Sequence, residues 1–501
     1  MIYDINLKTN YEINFGNRRY RFYWFNYKCI VRIKRGKQTV KKYKKSVFIF
    51  RRDLRLVDNT GLIVACKNSS KVIPCFILDE RLVDRSSKKY SNFRLQFLYD
   101  CLNDLDERLV EENSHLYFFN DTPTNTIKRL AKEIRVDAVF FNTDYTPFSK
   151  KRDLQIKEIC DRLSIQCETT EDTLLHQIET IKKKNGEPYK VFTAFQNKAR
   201  EYKVRKPQSY EFSNLESKSV GFETSKKKIQ EVLINSNEKN TIKGGRKESL
   251  RLLENISKLK NYEVERNYPF INGTSKLSAH NRFGTCSIRE VYSKIEEELG
   301  RNHQLITEIY WREFFTYIMY YFPESFSLEF NKKFRRIKWN QDKSNFSKWC
   351  NGKTGFPIVD AGMRELNKTG HMHNRVRMIV ASFLTKDLHI DWRLGEEYFA
   401  AKLIDYDPSV NIGNWQWAAS TGCDAQPWFR IFNPLLQQEK YDSECKYIKK
   451  WVEEIEKLEP AEIHSKKKYL HKNSSYPQPI VEHKKEAEIA KHIFQKFANA
   501  D

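Results

Sequence analysis

Short hydrophobic runs separated by amphipathic stretches follow one another along the chain from residue 46 to about residue 170. Four of these runs, SVFIF, KVIPCFIL, HLYFF and AVFFN, have the length and the β-branched or aromatic content of buried strands. Residues 93–110 repeat apolar positions at the period of a helix. Strands that alternate with helices predict an α/β domain, a Rossmann-like parallel sheet flanked by helices. No GxGxxG motif follows the first strand, so an ordinary dinucleotide fingerprint is missing.

The pattern changes again in the second half of the chain. Polar residues dominate positions 171–248, which predicts a long connector with some helix. Helical periodicity then prevails through SIREVYSKIEEEL, ITEIYWREFFTYIMYYF, AGMRELNKTGHMHNRVRMIVASFL and SECKYIKKWVEEIEKL. We therefore expect an N-terminal extension at 1–45, the α/β domain at 46–170, the connector at 171–248 and an all-α domain at 249–501.

The N-terminal extension is strongly basic. Residues 15–45 carry twelve Lys or Arg and no acid, interleaved with aromatic residues. This pattern is typical of a nucleic-acid-binding or targeting arm, and equally of a passive, solvated leader. The aromatic and β-branched content also permits a hairpin, with a turn at Arg35 and Gly36.

Composition narrows the class of partner. The 501-residue chain has a formal net charge of +24, and a basic surface concentrates polyanions, so nucleic acid is the leading partner. A Lys-rich bias of the genome is the competing explanation of the charge. No apolar run is long enough to span a membrane, and no apolar signal core is present, so we expect an intracellular protein of the cytoplasm or nucleus. The ten cysteines form no CxxC pair, and we expect reduced thiols and no metal site.

Tryptophan is concentrated in the helical half, where eight of the nine indoles lie. Residues 411–434, NIGNWQWAASTGCDAQPWFRIFNP, combine three of them with small and amide residues. Large indoles are less usual as core residues than Leu or Ile, so this clustering suggests a bound aromatic cofactor.

Two polar groupings accompany the indoles. Thr274, Ser275 and Ser278 lie in a hydroxyl-rich turn that enters a helix, where they either contact phosphate oxygens or simply cap the helix. Farther along, Arg377 could meet Asp405 or Asp407, either around an electron-rich ligand or as a structural salt bridge.

Together these segments resemble the photolyase/cryptochrome family, and most closely its class I cyclobutane pyrimidine dimer (CPD) photolyases. The resemblance runs from about residue 46 to residue 451. Its motifs are FIFRRDLRLVDNTGL, FNTDYTPFSKKRD, YEVERNYP, GTSKLSAHNRFG, EIYWREFF, GFPIVDAGMRELNKTGHMHNRVRM, IDWRLGEEYFAAKLIDYDPSVNIGNWQWAAS and PWFRIFNP. Any one of them would be a weak signal, whereas so many in order are specific.

The resemblance implies an antenna-chromophore domain in the α/β part and a U-shaped FAD in the helical part. The implied FAD contacts are Tyr262, Thr274, Ser275, Lys276, Leu277, Ser278, Arg377, Asp405, Tyr406, Asp407 and Asn411. Asn411 matches the residue that faces flavin N5, where a neutral amide can accept a hydrogen bond from the reduced ring without repelling its charge. Trp339, Trp392 and Trp415 match the chain of indoles that carries electrons from the surface to the flavin.

The resemblance also implies a site for flipped, UV-damaged bases. Trp311 and Trp417 match its aromatic walls, Met378 and Asn374 lie beside it, and Glu308 matches the carboxyl group that hydrogen-bonds the pyrimidine edge. Burial would raise the pKa of that carboxyl group and let it donate a proton. The implied DNA-backbone contacts are Arg266, Arg312, Arg375, Arg430 and Lys440.

The implied activity is light-driven CPD repair by a monomeric carbon-carbon lyase that needs no hydrolytic nucleophile. Six-four photolyase and cryptochrome blue-light receptor are the alternatives. Met378 and Trp417 favour CPD repair, because six-four enzymes typically place a histidine at the first position and lack the second stacking indole. DYTPFSKKRD fits relatives with a deazaflavin or flavin antenna better than relatives with a folate.

Overall fold

The computed structural model describes residues 41–234, 242–465 and 475–498, together with the backbone of three strands before them. Chain contacts separate two compact units, Met1–Lys42 and Tyr43–Asp501. The first unit contains an antiparallel sheet in the order β1-β2-β3. Its strands are β1 (Glu12–Phe15), β2 (Arg18–Phe25) and β3 (Lys28–Ile33). The turn predicted at Arg35 and Gly36 lies outside the described residues.

The second unit begins with a parallel five-stranded sheet in the order β6-β5-β4-β7-β8. Its strands are β4 (Tyr43–Phe50), β5 (Ser69–Ile77), β6 (Tyr117–Phe119), β7 (Ala138–Asn142) and β8 (Gln166–Thr170). The helices interleaved with these strands are α1 (Thr60–Asn68), α2 (Asn92–Glu111), α3 (Pro123–Ile134) and α4 (Pro147–Arg162). The predicted α/β class is confirmed. The polar edge strand β8, QCETT, has no apolar run and was not predicted.

Helices dominate the rest of the chain, as predicted. They are α5 (Phe192–Arg200), α6 (Lys226–Leu233), α7 (Arg246–Glu254), α8 (Tyr262–Glu265), α9 (Ser278–Phe283), α10 (Ile288–Leu299), α11 (Gln304–Tyr321), α12 (Lys343–Cys350), α13 (Pro357–Thr369), α14 (Asn374–Ser382), α15 (Trp392–Lys402), α16 (Pro408–Ala418), α17 (Pro434–Tyr441), α18 (Lys446–Trp451), α19 (Pro460–His464) and α20 (His483–Ala498). Short 3-10 or π segments are Glu80–Leu82, Ile256–Leu259, Pro323–Phe326, Lys332–Arg336, Phe383–Asp387 and Glu453–Ile455. Within the described ranges, no helix is long and apolar enough to cross a membrane.

Buried ion pairs join the sheet region to the helices. Asp172 accepts from Arg55 at 2.5 Å and from Arg289 of α10 at 2.7 Å. Arg289 also reaches Asp58 at 2.7 Å. Burial alone would raise the pKa of Asp172, but the two guanidinium groups outweigh it and hold that pKa below its ordinary value. Removing one member would leave an uncompensated buried charge, so this cluster favours one relative position of the sheet and α10.

The connector packs into the helical core although its composition is polar. Leu174, Leu175, Phe192 and Phe195 are buried in the same hydrophobic cluster as residues of α10 and α11. The backbone N–H of Leu175 donates to the carboxyl group of Glu313 on α11 at 2.6 Å. The first part of the connector therefore packs into the helical region, whereas Leu215, Ile229 and Leu233 of its second part are buried in the hydrophobic cluster of the sheet region. The predicted domain boundaries stay a prediction.

Glu313 generates a prediction about stability and pH. Burial raises its pKa to about 7 from an ordinary value of 4.5. The folded protein thus binds more protons than the unfolded chain between these values, so the free energy of unfolding should fall as pH rises from 4.5 to 7. Glu313→Gln should remove a decline on the order of 3 kcal/mol. Denaturant titrations at pH 5 and pH 8 check this, with Glu133→Gln on the exposed Arg129–Glu133 pair as the control. An equal pH slope in wild type and Glu313→Gln would contradict it.

Candidate functional site

One cavity of about 470 Å³ gathers most of the predicted site residues. Helices α11, α14 and α16 and the turn before α9 form its wall. The predicted residues that line it are Tyr262, Arg266, Thr274, Ser275, Lys276, Leu277, Ser278, Glu308, Trp311, Arg312, Asn374, Arg377, Met378, Asp405, Tyr406, Asp407, Asn411, Trp415 and Trp417. The volume and the mixed polar and aromatic lining are typical of a cofactor site.

Glycines let α16 approach its neighbours closely enough to form this wall. A Cβ on Gly413 would lie 2.3 Å from the ring of Phe315 on α11. A Cβ on Gly395 of α15 would lie 2.2 Å from the indole of Trp415. Side chains cannot approach so closely, so glycine is required at both contacts. As a result α16 presents Asn411, Trp415 and Trp417 to the cavity.

The Asn411 side chain is oriented by a buried carboxylate. Its amide nitrogen donates to Glu396 Oε1 at 3.3 Å and lies 3.5 Å from the Glu396 carbonyl oxygen. Both partners are acceptors, so the amide nitrogen must face them and the amide oxygen is left to accept from a ligand. Glu396 is itself fixed by Tyr406 at 2.9 Å and Lys89 at 2.9 Å. Asn411 lies in the second turn of α16, so the helix backbone also fixes its position.

The two acids of the LIDYDPS turn have different partners. Arg377 forms a bidentate pair with Asp405 at 3.2 and 2.9 Å. Burial would raise the pKa of Asp405, but the charge and hydrogen bonds of Arg377 outweigh it and lower that pKa. Asp407 instead pairs with Arg52, which also donates to Asp144 at 3.1 Å. Arg52 follows strand β4, so the sheet also supports the cavity.

The hydroxyl-rich turn does not cap α9. The N-cap of that helix is Leu277, which makes no side-chain capping bond, and the nearest hydroxyl contact is the long one in which Ser275 Oγ accepts from the Leu277 N–H at 3.4 Å. The capping explanation of Thr274, Ser275 and Ser278 is therefore wrong, and these hydroxyls line the cavity. Lys276 has a φ of 55°, which bends the chain around the opening.

Unpaired polar atoms in the wall indicate that a polar ligand completes it. Among the described residues, Asn281 Oδ1 and His373 Nε2 are buried without a hydrogen-bond partner, and both residues line the cavity. Burial lowers the pKa of His373 to about 4, so its imidazole is neutral near pH 7. Buried donors and acceptors are nearly always satisfied, and a ligand with amide, hydroxyl and phosphate groups fits this donor set.

The outer part of the cavity holds the predicted lesion-binding residues. Glu308 accepts from Arg266 and, at 2.8 Å, from Gln304, and its side chain is 30% exposed. Trp311 and Trp417 are both half-buried there. Asn374 and Met378 lie one helical turn apart on α14, with their side-chain N and S atoms 4.0 Å apart.

Of the predicted DNA-backbone contacts, Arg266 and Arg312 line the cavity, and the other three lie outside its lining. Arg375 and Lys440 flank the ring of Tyr441 at 4.5 and 5.3 Å, outside the cavity lining. Arg430 is exposed, and it also lies outside the lining. Arg312 points inward, because its guanidinium donates to the Thr173 carbonyl at 3.1 Å and burial lowers its pKa. Contact of these residues with DNA stays a prediction.

The three predicted electron-transfer indoles differ in exposure. Trp415 lines the cavity and is buried, and Trp392 is buried with its N–H on Glu329 at 3.3 Å. Trp339 is half-buried. Trp339, the predicted outer end of the path, is the one of the three that is partly exposed. The path itself stays a prediction.

Sequence reasoning missed three residues that support the site. Glu396 orients Asn411, Gln304 orients Glu308, and Phe192 stacks on Trp311 with ring centroids 3.6 Å apart. Gln304 precedes Glu308 by one helical turn, a spacing that could have indicated the contact. Phe192 lies 119 positions before Trp311, and no local pattern connects the two.

Two family models match the two parts of the second unit. Residues 46–211 match the family model "DNA photolyase", and residues 305–496 match "FAD binding domain of DNA photolyase". The deoxyribodipyrimidine photo-lyase of Alkalihalophilus pseudofirmus is 35% identical over 473 residues, covering 89% of this chain and 97% of that protein.

Two solved structures share the fold over 90% of this chain. An archaeal photolyase from Sulfolobus tokodaii, solved with two FAD molecules, is 39% identical with a TM-score of 0.81, covering 90% of this chain and 100% of its own. The Synechocystis cryptochrome is 28% identical with a TM-score of 0.81, covering 90% and 99%. Fold alone therefore does not separate repair from signalling.

These matches confirm the predicted family, the predicted photolyase assignment and the predicted FAD-binding helical region. Within the described ranges no cluster of His, Cys, Asp or Glu could hold a metal ion. The chain belongs to the DNA photolyase family.

Proposed function

We propose that this protein repairs cyclobutane pyrimidine dimers in UV-damaged DNA, using light and a reduced FAD held in the cavity. The observation that carries the proposal is the continuity of that cavity. The same space is lined by the predicted cofactor contacts Asn411 and Arg377 and by the predicted lesion contacts Glu308, Met378 and the two indoles. A flipped dimer would therefore contact the cofactor without an intervening protein layer.

The residues that would hold FAD follow from their chemistry. The hydroxyls of Thr274, Ser275 and Ser278 would contact the phosphates, and the Arg377–Asp405 pair would lie beside the ring system. The Asn411 amide oxygen, left free by Glu396, would accept from the reduced flavin edge. When bound and excited, FAD supplies one electron to the lesion and regains it after the ring splits.

The chain's own part in the reaction is positioning and charge stabilisation. The indoles Trp311 and Trp417 would form the two aromatic walls, the surfaces on which the damaged bases stack. Stacking of a base on an aromatic side chain contributes roughly 1–3 kcal/mol to binding. Glu308, held by Arg266 and Gln304, would hydrogen-bond the pyrimidine edge. Because the reaction is redox-neutral, no side chain has to act as a nucleophile or as a stoichiometric reductant.

Six-four repair and blue-light signalling remain the competing functions. Met378 and Trp417 favour CPD repair, since both line the outer cavity where a lesion would lie. We propose a monomer as the working unit, because a single chain forms the cavity. Since the substrate is DNA, we place the activity inside the cell, in the cytoplasm or nucleus.

The direct test is to irradiate the reduced protein with oligonucleotides that contain either a CPD or a six-four photoproduct. CPD restoration alone, measured by chromatography, is the expected result.

Trp417→Leu should raise the dissociation constant for CPD-containing DNA about fivefold to a hundredfold, because stacking is lost. Trp451→Leu is the matched control, since both indoles are partly buried against the same hydrophobic cluster and only Trp417 lines the cavity. No turnover of either lesion by wild type would leave signalling as the better account.

The Arg377–Asp405 pair generates a second prediction. Asp405→Asn removes the negative partner of Arg377, so the guanidinium should leave its present position and flavin should bind at least about tenfold more weakly. The flavin-to-protein absorbance ratio after gel filtration measures this. Glu133→Gln removes one member of an exposed pair in the α/β region and should retain full flavin content. Equal flavin content in both variants would refute the role of Asp405.

We further propose that the α/β region holds a flavin or deazaflavin antenna. Two buried guanidinium nitrogens of this region, Nη2 of Arg51 after β4 and Nη2 of Arg152 on α4, have no hydrogen-bond partner among the described residues. Acid release and chromatography of the bound chromophores should give FAD together with a second flavin or deazaflavin. Release of a folate would contradict this proposal without affecting the assignment of the repair site.

A further inference from the structure

One face of Trp311 is covered by the connector. Phe192, the first residue of α5, stacks on the Trp311 indole with ring centroids 3.6 Å apart and an interplanar angle of 6°. Phe192 is buried at 6% exposure and lies outside the cavity lining, whereas Trp311 lines it. Phe192 therefore packs on Trp311 from outside the cavity, whereas Phe315, whose ring lies 5.5 Å from the same indole, lines the cavity.

Phe192 is itself tied to the segment that follows the second aromatic wall. Its backbone N–H donates to Asp424 Oδ2 at 2.9 Å. The Cys423 thiol contacts the carbonyl oxygen of Lys190 at 3.0 Å. Cys423 and Asp424 come six and seven positions after Trp417, in the turn that leaves α16. The connector segment 190–192 is thus hydrogen-bonded to the turn that follows Trp417 and stacked on Trp311.

We propose that Phe192 is a positioning residue for the lesion, fixing the plane of the Trp311 indole so that the slot between the two aromatic walls is formed before DNA binds. The inference rests on the proposed function, since the plane of Trp311 matters only if a base stacks on it. An indole has two rotatable side-chain bonds, and fixing them before binding removes an entropic cost from association. A parallel ring in contact with the indole resists, by steric overlap, the rotations that would tilt the face of Trp311 that lines the cavity.

Plain core packing is the competing explanation, and α5 supplies the control for it. Phe195 lies on the same helix, is 2% exposed and belongs to the same hydrophobic cluster. Its ring meets Phe314 at 5.4 Å and Tyr317 at 4.9 Å in tilted contacts, and among the ring contacts of the described residues it shares with Phe192 only the contact to Phe314, which Phe192 meets edge to face at 5.7 Å. If Phe192 served only the core, substitutions at the two positions would have the same effects.

The experiment compares Phe192→Leu, Phe192→Tyr and Phe195→Leu as flavin-loaded proteins. Dissociation constants are measured by fluorescence anisotropy in the dark, with CPD-containing and undamaged oligonucleotides, beside the melting temperature and the repair yield per bound lesion. Phe192→Leu should weaken CPD binding about threefold to tenfold. It should leave undamaged-DNA affinity, flavin content and repair yield at saturation within about twofold of wild type, and Phe192→Tyr, which keeps the ring, should restore lesion affinity.

Phe195→Leu should lower the melting temperature as much as Phe192→Leu and bind the lesion like wild type. Equal loss of lesion affinity in the two leucine variants, or wild-type lesion affinity in Phe192→Leu, would overturn the proposal. These outcomes are separate from failure of the proposed function, because the wild-type protein would then neither bind nor repair the dimer.

Discussion

The close approach of α16 to α11 and α15 is the constraint on which the site depends. It is possible because Gly413 and Gly395 leave room for the rings of Phe315 and Trp415, where a Cβ would overlap them. This approach places an amide, a buried indole and a half-buried indole from one helix on a single cavity. We propose that the first faces the cofactor, that the second passes electrons to it and that the third stacks on a base. Any shift of α16 would alter all three roles together.

Buried charge gives this packing its second constraint. Arg52 bridges Asp144 of the α/β region and Asp407 beside the cavity, while Asp172 joins Arg55 to Arg289. A buried ion pair adds little net stability compared with apolar packing, but breaking one is costly. These pairs therefore favour a single registration of the sheet against the helices over alternatives of similar compactness. The position of the cavity wall depends on this packing, because Asp407, which lines the cavity, is paired with Arg52 of the α/β region.

The sequence predicted elements whose signal is local, and it missed what depends on distant contacts. The four apolar strands and the long helices were found from periodicity, whereas β8 was missed because an edge strand needs no apolar run. The family motifs placed nineteen candidate residues on one cavity. Glu396 lacked a distinguishing pattern, because its role arises from a fold that brings α15 against α16. The connector was predicted from its polar composition as a long connector with some helix, yet Leu174, Leu175, Phe192 and Phe195 are buried in the helical core.

The connector shows why a positioning enzyme needs support outside its contact residues. Electron donation requires no nucleophile, so we propose that the protein acts through the distance and orientation of cofactor and lesion and through charge stabilisation. Trp311 projects from a rigid helix, but its indole can still rotate about two side-chain bonds, and helix packing alone does not prevent that. Phe192 limits this rotation from outside the cavity, and the bond from Phe192 to Asp424 relates its position to the exit of α16. The two walls of the slot, which belong to different helices, thereby share one support, so their separation is set by the connector as well as by the helices.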